Sequence, residues 1–226
     1  MTESIFDKQA TQWWDADGPM RTLHHINPVR ATWIQSVIPT KQCQLLDVGC
    51  GAGLFCEAMA NFNHQVTGLD ISGKLIKIAK LHAKIQPYNI HYVHQPVHEF
   101  ALNYAEKFDV VTCLEMLEHT DQPEQIIAEC ANCCKPGGMV FFSTINRTIA
   151  AWLGTILVGE HLLGLIPKGT HQFEAFIKPS EIKRVANRCK LQLKAATGLE
   201  YNPFDKTTQL TQKLGTNYLL AFQKTC

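Results

Sequence analysis

Three glycines at alternate positions, Gly49, Gly51 and Gly53, follow the apolar run Leu45-Leu46-Asp47-Val48 and open a helix-forming stretch. Glycine there lets the chain turn sharply and lets a ligand approach the main chain. Exposed N–H groups at the N-terminus of the following helix favour an anionic or polar ligand end. Asp70 stands 21 residues beyond Gly49, at the end of the next apolar run. A carboxylate so placed accepts hydrogen bonds from a ribose. Further along, Glu115, Glu118 and His119 fall at i, i+3 and i+4. A helical turn would put all three on one face.

The glycine loop alone also describes dinucleotide enzymes, whose pattern is G-x-G-x-x-G. Here the third glycine of that pattern would fall at position 54, which is Leu54. The actual pattern is G-x-G-x-G with Asp47 just before it, which disfavours a dehydrogenase.

The elements that position these residues alternate along the chain. Strands are expected near residues 43–48, 65–70, 90–94, 107–114 and 139–144, with helices near 53–62, 73–85 and 124–134. Such alternation implies a parallel sheet with helices on both faces. Lys135-Pro136-Gly137-Gly138 is a turn signal between a helix and a strand. A helix near 181–188 and strands near 192–197 and 217–223 follow. The first 40 residues read as a helical cap, with Asn27-Pro28 as a helix start: asparagine caps, and proline suits the first turn.

Composition narrows the class. The 226 residues suit one domain, 46% hydrophobic and 18% charged, so disorder is not expected. The net charge of +1 and the lack of a dense Lys/Arg run speak against nucleic acid. The start of the chain lacks a charged leader before an apolar core, so a cytoplasmic protein is expected. The nine cysteines then read as small buried hydrophobes. Cys130, Cys133 and Cys134 would be half a zinc site, yet no second ligand pair stands at suitable spacing.

The stretch 149–166 is very apolar, but Glu160 and His161 interrupt it and Pro167 ends it. It is too broken for a membrane span, which needs about 20 apolar residues. It reads either as core helices or as a lid touching a greasy substrate or a membrane surface.

The segment Leu46-Asp47-Val48-Gly49-Cys50-Gly51-Ala52-Gly53 resembles the first motif of class I S-adenosylmethionine-dependent methyltransferases. Val66-Thr67-Gly68-Leu69-Asp70 resembles the second, and Phe108-Asp109-Val110-Val111-Thr112-Cys113 and Lys135-Pro136-Gly137-Gly138 resemble later ones. A narrower resemblance covers nearly the whole chain. Trp13-Trp14-Asp15, Leu23-His24-His25-Ile26-Asn27-Pro28-Val29-Arg30, Glu115-Met116-Leu117-Glu118-His119, Phe141-Phe142-Ser143-Thr144-Ile145-Asn146-Arg147 and Pro167-Lys168-Gly169-Thr170-His171 are similar to the ubiquinone biosynthesis O-methyltransferases. His25 stands where that family commonly has Arg, and Ala52 where it commonly has Gly.

The resemblance implies an α/β, Rossmann-like class I methyltransferase fold: a mostly parallel seven-stranded sheet, helices on both faces, N-terminal helices and an apolar insertion after strand 5. One domain would span 1–226, with the cap at 1–40 and the insertion at 149–177. It implies transfer of a methyl group to a phenolic oxygen of a polyprenylated catechol or hydroquinol. Matched residue by residue, it makes Arg30, Gly49, Asp70 and Leu114 the methyl-donor site. Arg30 would pair with the donor's carboxylate; a solvated surface arginine is the competing reading. The phenol must lose its proton. His119 as general base is one route. A divalent cation such as Mg2+, held by Glu115, Glu118 and His119, is the other. A third reading has these residues merely capping a short helix. Peripheral contact with the inner face of the membrane, through Trp152 and Lys168, and membership of a quinone-biosynthesis complex complete the expectations. A methyltransferase for another small phenol or carboxylate, and a donor-binding scaffold without turnover, are the rival functions.

Overall fold

The structure is a computed structural model that describes residues 5–148 and 175–226. The stretch 149–166, with Trp152, and Lys168 lie outside the described residues.

Strands and helices alternate through the first two thirds of the chain. They run α1 (Ile5–Lys8), α2 (Arg21–Val37), β1 (Gln44–Val48), α3 (Leu54–Asn61), β2 (Gln65–Asp70), α4 (Gly73–Ala83), β3 (His91–His94), α5 (Val97–Asn103), β4 (Phe108–Leu114), α6 (Pro123–Cys133) and β5 (Cys134–Ile145). After the undescribed stretch come α7 (Pro179–Arg188), β6 (Leu191–Asn202), β7 (Thr207–Thr211) and β8 (Asn217–Lys224). The strands form one sheet in the order β3-β2-β1-β4-β5-β8-β6-β7. Pairing is parallel from β3 to β5 and antiparallel for β5–β8, β8–β6 and β6–β7.

Strand alternation explains both cores, because successive side chains point to opposite faces. Leu46, Val48, Val111, Cys113, Val140, Phe142, Leu220 and Phe222 face α5, α6 and α7. Their immediate neighbours Leu45, Val110, Phe141, Leu219 and Ala221 face α2, α3 and α4. A sheet covered on both faces needs such continuous apolar strands. All nine cysteines are free thiols, and all but Cys189 and Cys226 are buried in these layers.

Several expectations are corrected. Among the described residues the sheet has eight strands, not seven. The extra one is β7, an edge strand of mostly polar residues, Thr-Thr-Gln-Leu-Thr, that hairpins back on β6. With neither face buried, it carries no apolar alternation. The short α5 was also unforeseen. Asn27-Pro28 does not start a helix: α2 begins at Arg21 and carries Pro28 inside it. Burial of Ile26, Ala31 and Ile34 holds the helix through the proline. Asn27 is occupied otherwise, its amide donating to the Leu54 carbonyl at 3.1 Å. Finally, Lys135-Pro136-Gly137-Gly138 lies within β5 as an irregularity. Pairing with β4 jumps from Phe108↔Cys134 to Val110↔Met139 around it, with Gly137 at φ 81°.

Candidate active site

The C-terminal ends of β1, β2, β4 and β5 converge on one edge of the sheet. In open α/β sheets this is where ligands bind. Gly49 and Gly51 both adopt left-handed backbone, φ 75° and 56°. A Cβ on Gly49 would lie 2.6 Å from Met116 Cγ, and one on Gly51 2.5 Å from Trp13 Cζ2. No side chain fits at either place. The loop is tied to β2: Gly49 and Cys50 N–H groups donate to the Leu69 carbonyl at 2.8 and 3.0 Å. Gly51 N–H donates to Asp70 Oδ2 at 2.9 Å, and Ser72 N–H to Asp70 Oδ1 at 2.8 Å. Burial raises the Asp70 pKa despite those two donors. Each carboxylate oxygen retains a lone pair for a further donor.

Arg30 is buried, only 5% exposed, which removes the surface reading. Its Nε donates to Asn27 Oδ1 at 3.0 Å, and its guanidinium carbon lies 5.5 Å from the Phe55 ring centroid. Among the described residues it forms no salt bridge. Burial lowers its pKa, while Glu115 and Asp47 pull the other way. A buried guanidinium without a carboxylate partner is costly, so this position suits a ligand carboxylate. Leu114 ends β4 and is 8% exposed, packed in the cluster with Phe55 and Leu45.

Asp47 is a buried polar anchor beneath the loop. Thr112 Oγ1 donates to its Oδ1 at 2.7 Å and Cys56 Sγ to its Oδ2 at 3.4 Å. Burial pushes its pKa up to about 6, against those hydrogen bonds and the Arg30 charge.

The Glu115–His119 segment does not form the expected α-helical face. Glu115 stands before the turn at φ 52°, and Leu117–His119 is a 3-10 turn. Glu115 Oε1 accepts from Ser143 Oγ at 2.6 Å and Oε2 from Asn217 Nδ2 at 2.9 Å. Glu118 is buried; its Oε2 accepts from Thr144 Oγ1 at 2.8 Å, and its Oε1 has no partner among the described residues. Burial and then the neighbouring Glu115 charge push its pKa well above the usual carboxylate range. His119 is exposed, edge-on to the Phe6 ring with centroids 5.0 Å apart. The two glutamates therefore turn toward β5 and β8, and the histidine toward the N-terminal segment. Among the described residues no three His, Cys, Asp or Glu side chains gather as metal ligands. The expected three-ligand set for Mg2+ does not fit this geometry.

Ser143 and Thr144 lie in a segment that carries the family resemblance, but neither they nor Asn217 receive a site role from the sequence. A signal existed for the first two: adjacent hydroxyls at the end of the apolar run Val140-Phe141-Phe142. Asn217 reaches the site only because β8 pairs antiparallel with β5, setting it opposite Ile145.

A glycine loop after β1, an acid ending β2 and a sheet running parallel and then antiparallel through β5-β8-β6 define a class I S-adenosylmethionine-dependent methyltransferase. Residues 46–142 match the family model described as a methyltransferase domain. The chain is similar in fold to magnesium protoporphyrin IX methyltransferase of Synechocystis PCC 6803, with TM-score 0.65, 17% identity, and 94% of this chain and 87% of that one covered. It is 42% identical to a ubiquinone biosynthesis O-methyltransferase of Saccharophagus degradans, over 97% of this chain and 93% of the relative. It is 44% identical to one from Coxiella burnetii, over 96% and 92%. The chain belongs to the ubiquinone biosynthesis O-methyltransferase family.

Proposed function

We propose that the chain transfers a methyl group from S-adenosylmethionine to a phenolic hydroxyl of a polyprenylated catechol or hydroquinol intermediate of ubiquinone assembly. The observation that carries this reading is identity above 40% along nearly the whole length of relatives so named. The residues of the crevice are consistent with it.

Arg30 holds the donor's carboxylate in a charge-assisted pair. The Gly49–Gly53 loop admits the donor to close range, Asp70 accepts from its ribose, and Leu114 supplies an apolar wall. When bound, the donor presents an electrophilic methyl on a sulfonium. The chain's work is then to align a phenolic oxygen with that methyl and to take its proton, and positioning alone accounts for much of such acceleration. His119, at the exposed rim, is the general base. Glu118 stays protonated in its apolar setting, and Glu115, fixed by Ser143 and Asn217, gives the site one fixed negative charge.

The polyprenyl tail needs apolar cover, since each buried CH₂ is worth about 0.8 kcal/mol. By its sequence, the stretch 149–166 supplies that cover and meets the membrane surface, with Trp152 and Lys168 as interfacial anchors. No helix among the described residues is long and apolar enough to cross a membrane. Liposome flotation of the full chain against a version lacking this stretch tests the contact; equal partitioning would sink it.

The function is tested with S-adenosylmethionine and a short-chain demethylubiquinol, with product identified by mass. Methylated quinol is expected. Activity on soluble catechols alone would favour a different phenol as substrate. Donor binding without turnover on any phenol would favour a scaffold.

A further inference from the structure

The donor site as read so far makes no use of the segment before α2, yet that segment places an aromatic ring on the glycine loop. Trp13 is 6% exposed and packs with Ala52 and Leu75, which follow Gly51 and Asp70 in the chain. Its backbone is fixed: His24 Nε2 donates to the Trp13 carbonyl at 2.8 Å. Its ring is held edge-on to Phe6, centroids 6.2 Å apart.

The indole N–H is a donor and nothing else. It is buried, and among the described residues it has no partner. Native structures rarely leave such a group unsatisfied. The adjacent Trp14 shows that the same loop can satisfy an indole, since Trp14 Nε1 donates to the Ala52 carbonyl at 3.1 Å. Trp13 differs in what it faces. A Cβ built on Gly51 would meet its Cζ2 at 2.5 Å and its Cε2 at 3.2 Å. Cη2 lies between them at 3.0 Å, so the six-membered ring presses on Gly51 along its Cζ2 edge, the edge that continues through Cε2 to Nε1. Gly51 in turn donates to Asp70. The unpartnered N–H thus belongs to a ring packed on the glycine of the loop that is bonded to the acid ending β2.

We propose that Trp13 is a donor-binding residue whose indole N–H hydrogen-bonds an oxygen of bound S-adenosylmethionine. The proposal rests on the reading that the Gly49–Gly53 loop and Asp70 hold that donor. It also gives the N-terminal segment a role: its position on the loop completes the donor site.

The test removes the N–H and keeps the ring. Full-length protein carrying β-(3-benzothienyl)alanine at position 13 is compared with wild type and with Trp13→Phe. Calorimetry with S-adenosylhomocysteine and ligand-free melting are the readouts. Loss of one buried hydrogen bond is expected to weaken S-adenosylhomocysteine about tenfold in the benzothienyl protein. Its ligand-free melting temperature should not fall, because the N–H has no partner to lose. Trp13→Phe should weaken the ligand at least as much. Unchanged affinity in the benzothienyl protein overturns the proposal. So does a lower ligand-free melting temperature with unchanged affinity, which is the behaviour of a purely structural ring. Wild-type protein that fails to bind S-adenosylhomocysteine would instead overturn the donor-site reading itself.

Discussion

Arg30 Nε and Asn27 Oδ1 are hydrogen-bonded at 3.0 Å, three residues apart on α2, and Asn27 in turn donates to the carbonyl of Leu54 at the start of α3. The asparagine aims the guanidinium and ties it to the glycine loop at once. A buried charge that forms no salt bridge, with Glu115 and Asp47 only offsetting part of its desolvation, burdens the ligand-free protein. Arg30→Met is therefore expected to leave ligand-free stability unchanged or raised. It should weaken S-adenosylhomocysteine by at least tenfold, the range of a charge-assisted hydrogen bond at about 1.5–3 kcal/mol. Denaturant melts and calorimetry on the same preparations check both halves. A large stability loss with unaltered affinity would make Arg30 a structural residue.

Gly51 sits at φ 56° under Trp13, so two separate penalties meet any side chain there. Alanine in a left-handed position costs about 1–2 kcal/mol, and its Cβ would press the indole aside. Gly51→Ala should destabilise the protein and weaken donor binding together. Because the second penalty is the indole, pairing Gly51→Ala with Trp13→Phe should cost less stability than the sum of the two. A double-mutant cycle in urea measures the difference; strict additivity would mean the ring moves freely.

Much of this site was legible because its logic is local. The glycine loop, Asp70 and their spacing report a strand-loop-helix turn and the next strand end, and the sheet places them as that pattern requires. Short apolar runs marked β1, β2, β4 and β8 for the same reason. What was not legible depends on partners distant in sequence. Pro28 lies inside α2 because Ile26, Ala31 and Ile34 find a core to bury in. β7 exists because β6 offers it an edge. Burial of Glu118 goes against the ordinary behaviour of glutamate, which is seldom buried. Only the fold brings Thr144 to it and Asn217 to its neighbour Glu115. The trio Glu115, Glu118 and His119 has helical spacing, but the left-handed Glu115 backbone breaks the face on which that spacing depends.

Asp47 makes stability depend on pH. Burial lifts its folded-state pKa to about 6; the unfolded value is near 3.9. Between those values the folded chain keeps a proton that the unfolded chain has lost. The unfolded state then binds fewer protons, so stability falls as pH rises through this window and levels off above it. The raised Asp70 and Glu118 act with the same sign. Asp47→Asn keeps an acceptor for Thr112 and removes this contribution, on the order of 2–3 kcal/mol for a shift of about two units. Urea midpoints at about pH 4 and about pH 7 should therefore lie closer together in Asp47→Asn than in wild type. An equal spacing in both would show that Asp47 titrates at its ordinary value.

His119 and Glu118 are one residue apart and face different surroundings, which separates their roles. His119 is exposed beside Phe6; Glu118 is buried against Thr144. A base must reach the phenolic proton, and an exposed imidazole at the rim can do so while a buried, protonated carboxyl cannot. His119→Ala is expected to lower kcat by about a hundredfold or more, the range of general base catalysis. S-adenosylhomocysteine affinity should be unchanged, since the proposed donor site uses other residues. Glu118→Gln mimics the protonated acid and retains the Thr144 contact, so it should keep or raise stability near neutral pH. A more acidic phenol supplied as substrate should recover part of the His119→Ala loss, because its proton leaves without help. Full activity in His119→Ala with the ordinary substrate would remove the histidine from the reaction and move proton transfer to another group of the site.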